Sequence, residues 1–572
     1  VATDQMKDSP TNNFCTFNPL SAGVERGANI ALSEGNLQIK TTYAGWEEVL
    51  ATQYVSSGKW YAECLVIGNY LQFGVASSAH SPPLPDLAQA GATGWSLYLQ
   101  ASDNAVYHNN AASSGAGSGF TSGDIWGLVL DLDASTPTLT WYKNNVSDRT
   151  TDGLTSFELT AGLTYTFYQV MVASSSSPDI IWNFGADSSF AGNKTAQGNQ
   201  DGNEVGDFYY TPPTDYLALC TSNLPAPAIT LPGSHRSTVL YDGNGSTQSI
   251  TGVGFQPDLL MGKVRNDTYD PVMANSISGT GKYVITSSAA AEASNANGIT
   301  SFDSDGFSLG SQEEWNPSLT VEDDMVVWSW LAGGSGVAND DGNMDSTVSA
   351  NTTAGFSIVK YVGHSNGASN GTVGHGLSEA PTMIIWKELS VAGNNWNVYQ
   401  KSMGANKRLE LNTTDIAATD VHMMYNTSPT ASVFSVGDSG ETNSSGDDHI
   451  ALCFHPVEGY SHMGFYKANG VTNGPFLPCT FRPAFILFKN FERAQNWQIL
   501  DDTRDIYNLT QHSLAPNTHL VENATSGDAN GDIVSNGFKI RAVGTSDINY
   551  AVGDQGIYMA FARSPSKYAN AR

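Results

Sequence analysis

The apolar and polar positions of this chain fall into short blocks. Between about residues 29 and 185, runs such as 59–66 (KWYAECLV), 71–76 (LQFGVA), 94–99 (GWSLYL) and 124–131 (DIWGLVLD) are separated by clusters of Gly, Ser and Asn. Runs of this length bounded by turn residues predict strands, and strands at this spacing predict a β-sandwich. No stretch sustains an apolar period of 3.6 residues, so little helix is expected. The run 139–144 (LTWYKN) leads into Asn144-Asn145, a pair able to take the positive φ angles of a tight hairpin turn.

A second pattern repeats on a longer scale. Proline, a mostly apolar run, then a lysine six positions after the proline recur at 257–263 (PDLLMGK), 381–387 (PTMIIWK) and 483–489 (PAFILFK). Each copy follows a tyrosine-led turn (Tyr241, Tyr361, Tyr466). Each precedes a phenylalanine after a turn (Phe307, Phe434, Phe538) and closes on an apolar run at 325–332, 449–456 or 556–563. Four markers in one order, three times, predict a triplicated module of about 100–120 residues, large enough to fold alone.

Elementary physics says more about that phrase. Proline can open a strand because the first residue need not donate to the ladder. The run after it lacks polar alternation, so it must be covered on both faces as a central strand. The lysine is expected where the strand meets water. In copies two and three Trp396 and Trp497 stand in alternating runs that predict the paired neighbouring strands.

Composition narrows the function classes. Only 14% of the 572 residues are charged, with a net charge of −29 from 26 basic and 55 acidic residues. There is no Lys/Arg cluster of the kind a nucleic-acid binder carries. An anionic membrane would repel such a surface, and no apolar run reaches spanning length. The five cysteines, Cys15, Cys64, Cys220, Cys453 and Cys479, resemble neither a zinc site nor a disulfide framework. Buried free thiols are expected, which suits assembly in a reducing cytoplasm. The chain opens on Val1 rather than Met, as expected of a processed protein or the C-terminal part of a longer one.

Motifs of catalysis are thin. Gly437-Asp438-Ser439-Gly440 matches a serine-protease nucleophile loop but lacks the flanking residues and an upstream histidine segment, so a turn is expected. His449, His455 and His462 bracket an apolar strand without metal-ligand spacing. Asp303-Ser304-Asp305-Gly306 and 528–532 (DANGD) are acidic turns; calcium is the one cofactor they suggest, and neither completes an EF-hand. Glu63 is a lone strand carboxylate where a glycosidase needs two. The glycine-rich 115–119 lacks the lysine of a phosphate loop. No catalytic or metal residue is therefore assigned. Candidate ligand-stacking residues are the aromatics Trp95, Tyr107, Tyr209, Tyr210 and Trp315.

Two resemblances add to this reading. The series 59–63 (KWYAE), 73–76 (FGVA), 123–124 with 128–133, 141–144 (WYKN) and 183–185 (NFG) resembles a SPRY domain in order and spacing. That resemblance implies a concanavalin-A-like sandwich of two antiparallel sheets, in which the Glu63 position is structural. The arm 8–14 (DSPTNNF), the SPRY-like region, a Pro-rich linker and the PDLLMGK-type repeats together resemble the C-terminal half of tail-fibre or other surface proteins of marine tailed bacteriophages.

The expectation is thus an all-β chain of tandem antiparallel β-sandwiches. Its parts are an N-terminal arm (1–24), a SPRY-like sandwich (25–200), a linker (201–235) and β repeats at 236–352, 353–461 and 462–572. The expected role is a non-enzymatic virion structural protein at the virion surface, assembled in the host cytoplasm. It would act as a tail fibre, spike or capsid decoration in assembly and host attachment, with carbohydrate binding among the modes of adhesion. Expected partners are other virion proteins, a host glycan or receptor, and further copies of the chain, with a trimer favoured. The alternatives are a virion-associated polysaccharide depolymerase and a bacterial surface lectin. Recognition is expected in the loops 364–377, 413–430 and 509–528, which lack close counterparts among the copies.

Overall fold

The structure is a computed structural model. It describes residues 8–9, 11–21, 29–68, 70–77, 95–100, 103–108, 111–113, 120–147, 157–160, 163–173, 178–318, 324–364, 371–522, 529–542, 544 and 546–568; for 95–113 it describes backbone only. The chain is all-β, built of antiparallel sheets, with one four-residue helix, Gly440–Asn443, among the described residues.

The alternation of the N-terminal region forms two facing sheets. One runs in the order Ile30–Ser33, Gln38–Thr41, Asp179–Asn183, Lys59–Val66, Ile125–Asp131, Thr138–Lys143, Val146–Ser147. The other runs Glu47–Leu50, Tyr165–Met171, Leu71–Ser77, Trp95–Gln100, Asp103–His108, Ala111–Ser113. Asn144 and Asn145 take φ of 48° and 66°, the paired positive values that a two-residue hairpin demands. Between the sheets lie Phe73, Trp126, Phe167 and Trp182.

Two segments read as peripheral are built into this sandwich. From the arm, Cys15 and Phe17 are fully buried, and Phe17 meets Trp182 at 5.3 Å. From the Pro-rich segment, Leu217–Ala218 pairs in parallel with Lys59–Val66, and Phe208 covers Tyr61 at 5.1 Å. All five cysteines are buried and free.

The three repeats share one plan. A tyrosine-bearing opening strand (Arg236–Tyr241, Phe356–Val362, Ser461–Lys467) pairs with the closing strand (Met325–Trp330, Asp448–Phe454, Gln555–Pro565). The closing strand pairs in turn with the proline–lysine strand (Leu259–Val264, Met383–Glu388, Phe481–Asn490), and that with a fourth (Val272–Asn275, Asn397–Gln400, Gln498–Asp501). A small second sheet, carrying Phe307, Phe434 or Phe538, packs on one face of this large sheet. The predicted central position of the proline–lysine run is observed in all three copies.

What covers its other face is shared. Leu259 and Met261, Met383 and Ile385, and Phe485 and Leu487 all enter a single core. Their alternating neighbours, Leu260, Ile384 with Trp386, and Ile486 with Phe488, enter the core of their own repeat. Strand periodicity of two thus serves two cores. The common core is knit by rings from every repeat: Trp330 lies 5.6 Å from Phe485 and 5.9 Å from Phe561, which meets Phe454 at 6.2 Å.

Backbone contacts close the three repeats into a ring. Glu292 N donates to Leu389 O at 2.9 Å, Ala417 N to Phe491 O at 2.7 Å, and Glu522 N to Arg265 O at 2.6 Å. The acceptor is always the second residue after the repeat lysine.

The lysines correct the sequence reading. Lys263, Lys387 and Lys489 do not meet water; they are 1%, 0% and 0% exposed. Lys263 Nζ donates to Tyr269 O (2.6 Å) and His519 O (3.1 Å), Lys387 Nζ to Asn394 O (2.9 Å), and Lys489 Nζ to Thr414 O (2.9 Å) and Gln495 O. An ammonium buried this way is tolerable because it is hydrogen-bonded. Two of the three reach a carbonyl of the neighbouring repeat, so they lock the ring.

Candidate functional site

The sequence-derived aromatics divide sharply. Trp95 and Tyr107 occupy neighbouring strands, Trp95 opposite His108 and Tyr107 opposite Ser96, and their side chains lie outside the described residues. Trp315 is corrected: it is 1% exposed and belongs to the core of the first repeat. It covers Gly262, where a Cβ would stand 2.6 Å from the indole. The ring has no surface on which a sugar could stack.

Tyr209 and Tyr210 are brought together and remain half-exposed. Their rings meet edge to face at 5.0 Å, and Tyr209 leans on Phe190 at 6.3 Å. Their placement is set by Glu63, on Lys59–Val66. Its carboxylate accepts from Tyr209 N (2.9 Å), Tyr210 N (2.8 Å), Tyr61 Oη (3.0 Å) and Asn183 Nδ2 (3.3 Å). Burial pushes the Glu63 carboxyl up to about 7, against the pull of these donors. Four donors on one buried carboxylate leave it no lone pair for a substrate proton, so its work is to hold the tyrosine pair. Burial, then Tyr209 and Glu63, also raise the Tyr210 phenol.

The catalytic look-alikes resolve into structure. Ser439 caps the short helix, its Oγ accepting from Glu441 N at 3.3 Å, while Asp438 pairs with His422 Nδ1 at 2.7 Å. His449 is fully buried, stacked on Tyr361 at 5.2 Å, with Nδ1 against Asp447 O (3.0 Å) and Nε2 accepting from Ser444 N (3.3 Å). Burial lowers the His462 imidazole to about 4. Asp303 accepts from Ser301 Oγ and Ser308 Oγ, and Asp305 from Gly252 N and Gly254 N. These acidic groups are spent on donors within the first repeat. Among the described residues, no group of three or more His, Cys, Asp or Glu is placed to hold a metal ion. Asp528 and the stretch 115–119 lie outside the described residues.

The unmatched loops are only partly surface. In 413–430, Met423 and Met424 are 1% and 0% exposed, and Thr414 O and Ala417 N make the contacts to the third repeat. In 509–528, Leu514 is core and Glu522 bonds to the first repeat. These loops do have a counterpart in the first copy, at 286–292, where Ala289 O accepts from Gly393 N at 2.9 Å. Among their exposed residues are the apolar Ile416, Val421, Leu520 and Val521, and Val391 is exposed in the second repeat near the Leu389 contact. Single exposed aliphatics are unremarkable in sequence.

No helix among the described residues is long and apolar enough to cross a membrane. No curated protein matches the chain. Part of it is weakly similar to solved SPRY domains. The TRIM65 PSpry domain is 20% identical over 30% of this chain and 89% of that one, with a TM-score of 0.24. The SPRY domain of human HERC1 is 21% identical over 29% and 96%, with a TM-score of 0.24, and a human SPRY domain 16% over 27% and 94%, with a TM-score of 0.20. The ring has a match of its own: residues 231–565 match the domain of unknown function DUF7483, and the chain belongs to that family.

Proposed function

We propose that this chain is a non-enzymatic structural protein of a bacteriophage virion surface, working in assembly and host attachment as a tail fibre, spike or capsid decoration. The observation that carries this reading is the ring. Every element that defines the repeat, tyrosine, proline–lysine strand, phenylalanine and closing strand, is spent on interior packing or on locking one copy to the next. Such a body is a platform that carries exposed apolar residues beside the contacts between its repeats. Its exposed aliphatics, Val391, Ile416, Leu520 and Val521, suit docking on another protein, and the Tyr209–Tyr210 pair suits stacking on a glycan or partner. By the resemblance to phage fibre proteins, a homotrimer is the assembly we favour. Weak contacts at each tip would then be multiplied by copy number.

Antibody-gold labelling of purified particles tests the location; particles without label would overturn it. Incubation of the purified chain with host capsular polysaccharide tests the non-enzymatic part. No release of reducing ends is expected, and release that disappears in a carboxylate variant would establish a depolymerase instead.

A further inference from the structure

The large sheets of the three repeats differ at one edge. In the second repeat the opening strand Phe356–Val362 is flanked by Ser346–Asn351, which pairs with it antiparallel from Ser346 opposite Tyr361 to Asn351 opposite Phe356. In the first repeat the equivalent strand, Arg236–Tyr241, ends its sheet. The closing strands fix the equivalence: Arg236 stands opposite Trp330 as Phe356 stands opposite Phe454. The covered strand buries Ser357, Ile358 and Val359, whereas Ser237, Thr238, Val239 and Leu240 are all half-exposed. The third strand of the set, Ser461–Lys467, also ends its sheet. There Met463 is buried, and the N-terminal sandwich docks just before it, where Ser56 Oγ meets the Glu458 carboxylate. The first edge is the most open of the three.

Hydrogen-bond phase shows what that edge offers. Leu331 N donates to His235 O at 2.9 Å, so His235 and Leu331 form a bonded pair. Alternation then turns the main-chain N–H and C=O of Ser237, Val239 and Tyr241 toward the closing strand, and those of Thr238 and Leu240 outward. In the second repeat the outward groups of Ile358 and Lys360 face Ser346–Asn351 by the same alternation. Outward main-chain groups on an edge are a template for a further strand, which proteins ordinarily blunt with lysine, proline or a bulge. Arg236–Tyr241 has no lysine, no proline and an unbroken register, and its one charged residue, Arg236, is 4% exposed.

We propose that this edge joins two copies of the chain, Arg236–Tyr241 of one pairing antiparallel with Arg236–Tyr241 of the other about a twofold axis at Val239. The second repeat shows that this position in the fold accepts an antiparallel strand, and a twofold-related copy presents one. The outward groups set the register: Thr238 of each chain exchanges both N–H···O bonds with Leu240 of the other. Val239 then falls opposite Val239, Ser237 opposite Tyr241, and Arg236 opposite Asp242. No like charges meet across the contact, a requirement for association in a chain of net charge −29. The inference rests on the sheets and not on the virion reading, and a twofold contact is separate from any threefold one.

Sedimentation velocity and light scattering of the full chain over a range of concentrations should show a monomer–dimer equilibrium. Val239 falls at a non-hydrogen-bonded pair, where Cα atoms stand about 4.5 Å apart, within reach of a disulfide. Val239→Cys should therefore cross-link into a dimer on oxidation. Ser237→Cys, set opposite Tyr241, should do so at least tenfold more slowly. The native cysteines are buried and leave this readout clear. Val239→Lys, which sets two ammonium groups opposite each other, should weaken the dimer at least tenfold. Thr238→Pro, which removes an outward N–H and no bond of the ladder, should do the same. A monomer at every concentration, an oligomer in which Val239→Cys does not cross-link, or equal cross-linking of the two cysteine variants would overturn the proposal.

Discussion

Trp328 Nε1 donates to Asp501 Oδ2 at 3.0 Å, and this bond joins the first repeat to the third. The other two junctions use a different device. Trp396 Nε1 donates to Ile285 O and Trp497 Nε1 to Glu410 O, both at 3.0 Å. The first copy has no tryptophan at that place, and a buried ionic cluster stands in. Asp501 and Arg504, both fully buried, pair at 2.6 Å, and Arg504 and Arg265 both hold Glu522. Asp501→Ala takes one of two carboxylates from the buried Arg504 guanidinium, leaves its Nε and the Trp328 indole N–H without their acceptor, and should cost about 3–5 kcal/mol. Trp328→Phe, which keeps the ion pair, should cost on the order of 1 kcal/mol for the lost bond. Denaturant unfolding of the two variants measures the difference.

A common core predicts common unfolding. Phe485 is 1% exposed and touches Trp328, Trp330 and Phe561 within 6.2 Å. Phe485→Ala should cost about 3–5 kcal/mol. Hydrogen exchange should then show lost protection in the closing strands of all three repeats, not of the third alone. Protection lost only in the third would mean that the copies fold as separate domains, as their length alone suggests.

Side-chain patterning explains which features were legible. The triplication, the central proline–lysine strand and the Asn144-Asn145 hairpin each require particular residue types, so they are written in the sequence. Ring closure is not, because its recurring bonds run from backbone N–H to backbone C=O. Glu292, Ala417 and Glu522 donate alike although their side chains differ. The lysines misled for a related reason. A lysine after an apolar run ordinarily marks the water's edge, and the carbonyls that satisfy it here come from loops distant in sequence. Nothing in the sequence pairs Trp315 with Gly262, so its burial is legible only in the fold.

Glu63 anchors the exposed tyrosine pair through acceptor capacity alone. Glu63→Gln would turn an NH2 toward one of the two donors, Tyr209 N or Tyr210 N, leaving a buried donor unpaired. A cost of about 1–3 kcal/mol is expected. Tyrosine fluorescence or acrylamide quenching should report a looser Tyr209–Tyr210 pair, while the ring core, measured by tryptophan signals, stays as it is. The share of stability that Glu63 contributes should also fall as pH rises from about 4.5 to about 7, read as the difference between the wild-type and Glu63→Gln profiles, because buried His462, lowered to about 4, pulls the whole chain the other way over that window. The folded carboxyl titrates near 7, so over that window the folded state holds the extra proton.

The buried lysines set the alkaline behaviour. Burial is the largest influence on each, lowering Lys263, Lys387 and Lys489 to about 8 and Lys539 to about 7. Acidic neighbours oppose it only in part: Asp270 and Asp267 for Lys263, Glu388 and Glu441 for Lys387, Asp547 and Asp415 for Lys489. An unfolded lysine keeps its proton to about 10.4. Between about pH 7 and 8.5 the unfolded chain therefore binds more protons, and stability rises with pH. Below about 7 both states are protonated and the cost of burying the ammonium groups is fully present. From about pH 8.5 the buried thiols of Cys15, Cys64, Cys453 and Cys479, which burial holds protonated in the folded state, oppose the rise, and above about 10 buried phenols such as Tyr241 and Tyr361 add to them. Lys489→Met removes one lysine's share of the rise. It also leaves Thr414 O and Gln495 O without their donor, so at pH 9 it should be less stable than wild type by about 1–3 kcal/mol. Urea unfolding at half-unit steps from pH 6 to 10 measures both slopes, and a variant profile parallel to the wild type would show that Lys489 is charged and solvated after all.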